Sequence, residues 1–217
     1  MTLIKRSVRA SRIGATLGLA MIFAAVSNAG QEALAKSVND ALAEVNATKA
    51  QLAQTMQSLN TLLTTKPGGD LRPAYQAYIS DVAKTKQAAA TTRERAGQMN
   101  GDSATYFSSW KADNEKISND DIRATSNKRL EQTQKDYQSS VESLEAAARA
   151  FSPFMSDLTD IQTALSNDLT AKGVMAAKGH VSKANHDHDQ VQTEIDHAIQ
   201  HLNNTRRDLM PIAGGGY

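Results

Sequence analysis

The sequence contains no cysteine. That excludes disulfide staples, lipid attachment through a cysteine and thiolate chemistry. Proline and glycine are scarce, at 4 and 12 of 217 residues, and aromatics make up 5%. With so few large rings, a thick globular core is disfavoured, and the abundant Ala, Gln, Lys, Asp and Glu favour long helices with narrow apolar seams. Charge of one sign is also missing as a block. Four of the 24 basic residues (Lys5, Arg6, Arg9 and Arg12) stand before residue 13, whereas Glu32 is the one acidic residue before Lys36. The body is therefore near neutral and slightly acidic, without the clustered Lys and Arg that nucleic acid requires. Gly-rich phosphate loops, nucleophile elbows and His-Glu-x-x-His zinc motifs are absent as well, so the chain reads as a non-enzyme that needs no cofactor.

What is present begins with a leader. Lys5 to Arg12 is basic, Ile13 to Val26 is apolar, and small-residue patterns follow at Ser27-Asn28-Ala29 and Ala33-Leu34-Ala35. Charge, a short apolar helix and small side chains that fit a peptidase are the order of a secretory signal peptide. The expected layout is a signal peptide over 1–35, cleaved after Ala29 or Ala35, a helical bundle over 36–209 and a disordered tail over 210–217. The apolar run is shorter than the roughly 20 residues a membrane span prefers. Contact with a membrane is therefore expected only if the leader is retained, and the location expected is periplasmic or secreted.

Four helices follow from periodicity. Val38, Val45, Leu52 and Leu59 recur every seventh residue from about Gln31 to Thr64, which places them on one stripe. Lys66-Pro67-Gly68-Gly69-Asp70 breaks the pattern, with Asp70 suited to cap the next helix and Pro73 in its first turn. The second helix carries Leu71, Tyr75, Tyr78, Val82, Thr85, Ala89, Thr92, Ala96 and Met99 at alternating four and three spacing. That phase continues across Gly97 and Gly101 to Ile117, which favours one helix. After a turn at Ser118-Asn119-Asp120-Asp121, the third helix carries Leu130, Tyr137, Leu144, Ala147, Phe151, Phe154, Leu158 and Leu165, with a kink expected at Pro153. The fourth carries Val174, Val181, His188, Val191, Ile195 and Leu202.

Short connections make sequential helices antiparallel neighbours. Leu59 then falls opposite Tyr75, Leu52 opposite Val82, Leu158 opposite Val181 and Leu144 opposite Ile195. The Ala88-Ala89-Ala90 and Ala146-Ala147-Ala148 runs lie level with one another, where small side chains would let two backbones approach. Helices two and three, about 49 residues and ~73 Å each, outrun helices one and four at about 35 residues. The expected fold is an all-α, elongated antiparallel four-helix bundle or coiled coil. Its long central hairpin, Tyr106 to Leu130, would project as a two-helix arm.

Gly69-Asp70-Leu71 with Tyr75, Phe107-x-x-Trp110, Ser118-Asn119 with Ile122-Arg123, Tyr137 and Asp168-Leu169 occur in order along Val38 to Leu202. The chain resembles, in these landmarks, an exported bacterial all-helical coiled-coil family catalogued only as a domain of unknown function. Gly101 and its neighbours depart from that pattern. The resemblance implies a helical protein of the cell envelope and carries over no catalytic residues.

Two residue groups remain as candidate sites. Glu194, His197 and His201 share a helix face at three and four spacing and could chelate a transition metal. The competing reading is a solvated polar face, because no second Glu-x-x-His stands on another helix. Tyr106, Phe107 and Trp110 could form a partner contact on the arm, or close the arm's own seam with Lys128 or Arg129 stacked near Trp110. The resulting expectation is a coiled-coil protein of the bacterial envelope that binds or scaffolds, its partner being an envelope protein or a second copy. The alternatives are a metal-binding protein using the fourth-helix histidines and a membrane-tethered helical protein with its leader retained.

Overall fold

The computed structural model describes the backbone over 17–66 and 68–210, and side chains from residue 28 onward. Among these residues four helices occur and no strand: α1 (Leu17–Thr64), α2 (Arg72–Asn114), α3 (Asp120–Asn167) and α4 (Ala171–Leu209). The fold is thus the expected all-α bundle. The basic segment of the leader and most of the tail lie outside the described residues.

Each helix boundary has a local cause. Gly68 adopts φ +85°, a left-handed conformation that glycine takes without a Cβ clash, and turns the chain from α1 toward α2. Asp70 accepts from the backbone N–H of Arg72 at 3.0 Å and from its guanidinium, so it tethers the first turn although Leu71 occupies the cap position itself. Asn119 caps α3 by accepting from Ile122 N at 3.0 Å, and Asp120 and Asp121 place negative charge at the positive end of the helix dipole. Thr170 caps α4 by accepting from Gly173 N at 3.2 Å. α2 passes through Gly97 and Gly101 as one helix, and α3 passes through Pro153 as one helix.

The helices form a four-sided bundle in which α1 packs on α2, α2 on α3, α3 on α4 and α4 back on α1, and among the described residues no diagonal pair of helices brings its backbones close. The two hairpins, α1 with α2 and α3 with α4, are the most intimate pairs. Their seams are those read from the sequence: Val38, Val45, Leu52, Leu59 and Val82 are buried in the first, and Leu158, Leu165, Val174, Val181 and Ile195 in the second. Small hydroxyls interrupt the apolar seams in matched pairs. Thr55 bonds Thr85 at 2.7 Å, Thr48 bonds Thr92 at 2.9 Å and Ser140 bonds Thr205 at 3.0 Å. A one-residue slip would separate these partners, so the pairs hold register as well as polarity.

Two expectations need correction. Helix one does not start near Gln31 but at Leu17, making it 48 residues, equal to α3. Composition marks the apolar stretch off from the seam that follows, yet no residue between Leu17 and Gln31 breaks a helix strongly enough to end it. As a result the central hairpin is not a bare two-helix arm at its base: the Gly30 backbone lies against Tyr106, where a Cβ on Gly30 would stand 3.7 Å from the Tyr106 Cα. Of the outer helices it is α4, ending at Leu209, that stops short of the tip. The second correction concerns the alanine runs. α2 and α3 share the thinnest contact of the four adjacent pairs, and they part where their alanines face each other.

Candidate functional site

Where α2 and α3 part, a cleft of about 250 Å³ enters the bundle. Every helix contributes to it. Val45 and Thr48 come from α1, Val191, Ile195 and Ala198 from α4, and these are buried, so they form the floor. The lips come from α2 and α3, where Arg93, Asn100, Glu145 and Ala148 are exposed. Between floor and lips lie Ala89, Ala96, Met99, Leu144, Ala147 and Phe151.

The separation of α2 from α3 has a mechanical origin in tyrosine. At one end of the interface Tyr78 is fully buried and its hydroxyl donates to the Leu158 carbonyl at 2.6 Å; one turn on, Tyr75 donates to the Gln162 carbonyl at 3.0 Å. At the other end Tyr137 reaches from α3 to Asn100 Oδ1 at 2.5 Å, with its ring edge against Phe107 at 5.7 Å. Long rings standing across the gap at both ends act as struts. Between them the alanines are too short to fill the space, and a close-packed interior is broken. Burial raises the pKa of Tyr78, Tyr106 and Tyr137 above the usual phenol value, so these hydroxyls stay protonated, and those of Tyr78 and Tyr137 stay donors.

Chemically the cleft is suited to holding an apolar group. Thr48 and Thr92 satisfy each other, and the Asn100 carbonyl oxygen is taken by Tyr137. At the lips, Glu145 lies 3.7 Å from Arg149 on its own helix. Arg93, on the opposite lip, makes no ion pair or hydrogen bond among the described residues.

The residues singled out from sequence are placed elsewhere. Tyr106 and Phe107 are buried, at 7% and 8% exposure, and Trp110 is half-buried against the same core. Their rings pack in a row, Tyr106 to Phe107 at 5.3 Å and Tyr106 to Trp110 at 5.5 Å. The Trp110 N–H donates to Ser126 Oγ at 3.1 Å, Ser126 donates to Asn114 at 2.6 Å, and Asn114 donates to Asn127 at 2.7 Å. This chain ties the tip of α2 to α3, so the aromatic group is turned inward and closes the seam. The large apolar side chain that the tip does expose is Ile122, at 59%.

On α4, His197 lies 3.5 Å from Glu194, with its side chain 55% exposed. Among the described residues no group of three His, Asp or Glu side chains is brought together to hold a metal ion. Side chains three and four apart on one helix are neighbours, but a metal also needs their ligating atoms turned to one point, and those of Glu194, His197 and His201 are not. His188 sits in the seam as expected, its ring 5.9 Å from that of Phe154 and its Nε2 3.2 Å from Gln192. The cleft itself was not foreseen, although its signal was present as facing alanine runs bracketed by tyrosines.

A family model described as "Protein of unknown function (DUF2959)" matches residues 23–208. That span takes in most of α1 and all of α2 and α3, and it reaches the last turn of α4. No curated protein matches the chain. No described helix is long and apolar enough to cross a membrane.

Proposed function

The chain belongs to the DUF2959 family, and we propose that it is a non-catalytic binding or spacing protein of the bacterial cell envelope, exported through its leader. The observation that supports spacing is the length of the helices. α3 has 48 residues, ~72 Å at the standard rise, in a bundle only two helices wide. A single apolar cluster joins all four helices from Leu34 and Leu209 at one end to Leu62, Leu165 and Val174 at the other. Such a body is stiff along its axis and offers long helical faces to a partner, either an envelope protein or a second copy. Export is supported by the basic, apolar and small-residue order of residues 5–35.

Two measurements test the reading. Small-angle scattering on the purified chain should give a radius of gyration near the ~22 Å of a 72 Å rod, above the ~17 Å of a compact domain this long. Proximity labelling from the C-terminus in cells should mark envelope proteins. Recovery of the protein in the cytoplasm with residues 1–35 intact, and labelling of cytoplasmic neighbours alone, would overturn the assignment.

A further inference from the structure

We propose that the cleft between α2 and α3 binds the alkyl chain of a single-chain anionic amphiphile, with Arg93 meeting the head group. Four features of the cleft point there, independently of whether the protein acts as a spacer.

The first is capacity. An apolar cavity of about 150 Å³ is enough to hold benzene, and this one, at about 250 Å³, is larger. The space therefore has room for a slender chain.

The second is lining. The floor and walls are alkyl and phenyl side chains, among them Val45, Met99, Val191, Ile195 and Phe151. The threonine hydroxyls inside are bonded to each other, so an entering chain strips no polar group of a partner.

The third is charge at the mouth. Arg93 stands on the α2 lip without an ion pair or hydrogen bond among the described residues, while the Glu145 carboxylate on the α3 lip already lies beside Arg149. A carboxylate or phosphate at the mouth would gain a planar, five-donor partner that is otherwise held by solvent alone. A cationic head would meet the same guanidinium with repulsion.

The fourth is persistence. Tyr75 and Tyr78 at one end and Tyr137 at the other hold the helices apart through hydrogen bonds of their own, so binding does not have to open the bundle first.

Fatty acids and lysophospholipids share this chemistry of one chain and one anionic head. Titration calorimetry on the full chain, with dodecanoate and dodecyl phosphate kept below their micelle concentrations, should show one site, a negative heat-capacity change and a raised Tm. Either head group binding supports the proposal, and the tighter of the two tells a fatty acid from a lysophospholipid. Arg93→Gln, at an exposed position that does not hold the fold, should weaken binding about tenfold, as for loss of one charge-assisted hydrogen bond. Ala89→Leu should abolish binding while leaving helicity by circular dichroism unchanged. The proposal is overturned if neither amphiphile binds, if dodecyltrimethylammonium binds as tightly as dodecanoate, or if Arg93→Gln leaves the affinity of both anions unaltered.

Discussion

Gly173 has no room for a side chain. It lies in the first turn of α4, and a Cβ there would fall 2.1 Å from the Asp168 backbone oxygen and 2.8 Å from its carboxyl carbon. The obstacle is backbone, so it cannot swing aside, and the tight turn from α3 into α4 depends on that missing methyl group. Gly173→Ala is expected to destabilise the protein by about 1–3 kcal/mol, the usual range for overpacking, seen as a lower urea midpoint; an unchanged midpoint would show that the turn can relax. Charge at the other end of α4 sets a pH dependence. Desolvation raises the Asp208 pKa above its ordinary 3.8, the adjacent Asp136 carboxylate adds to the rise, and Arg207 and Arg129 oppose it. An acid whose pKa is higher in the folded state binds its proton more tightly there. Its favourable contribution is complete below the unfolded value and is lost as pH rises through the folded one. Asp208→Asn should therefore raise Tm over the parent at pH 7, and the two should converge near pH 3. A difference that persists undiminished in acid would mean that the carboxylate's charge is not the cause.

At the scale of the helix, α2 carries two avoidable costs. Gly97 and Gly101 both face open space, with no heavy atom within 4 Å of where a Cβ would stand, and neither has positive φ. Alanine at either site gains helix propensity without a clash, so each substitution should stabilise by about 0.5–1 kcal/mol, and the pair additively. A chemical melt that shifts the wrong way would indicate that the flexibility of this segment is built into the native packing. The continuity of α2 through these glycines was legible because the seam keeps its phase from Leu71 to Ile117, and a true break would have reset it. Helix-to-helix pairing was legible for the same reason: heptad spacing fixes which residues face inward, and short turns fix which rows meet. What periodicity does not encode is the distance between two helices. Facing alanines are compatible with a tight approach or with a cleft, and the choice falls to the tyrosines at either end, whose hydroxyls find backbone carbonyls and Asn100 only when α2 stands off. The start of α1 was hidden differently. The apolar stretch before residue 27 and the seam after it are both helix-forming, so the passage from one to the other leaves no change of conformation. Likewise Tyr106, Phe107 and Trp110 look the same in sequence whether they face a partner or their own seam. Burial separates the two: it places Tyr106 and Phe107 inside, with Trp110 half-buried against the same core.

For the molecule as a whole, the question is whether two intimate hairpins unfold as one body. Their joint is thinner than their own seams, but it is not merely apolar contact. Tyr78 on α2 is fully buried and donates to Leu158 on α3, Gln31 on α1 donates to the Leu209 carbonyl on α4 at 2.7 Å, and Lys49 on α1 pairs with Asp196 on α4. The exposed ion pair adds little. The buried hydroxyl adds more, since its burial is offset by the bond it makes. Because the buried cluster is contiguous through all four helices, loss of the joint exposes core on both sides, and neither hairpin retains a closed core of its own. Unfolding is therefore expected to be a single transition. Trp110, the chain's one tryptophan, reports on the tip, while far-ultraviolet circular dichroism reports on all four helices; their guanidinium midpoints should coincide. Tyr78→Phe removes the strut's hydrogen bond at the end remote from Trp110 and leaves the Leu158 carbonyl its helical partner, so it should cost about 1 kcal/mol. If the bundle is one cooperative unit, that loss moves the fluorescence and dichroism midpoints together. If dichroism shifts while Trp110 fluorescence does not, the tip and the opposite end unfold separately and a stiff rod is the wrong description of the protein.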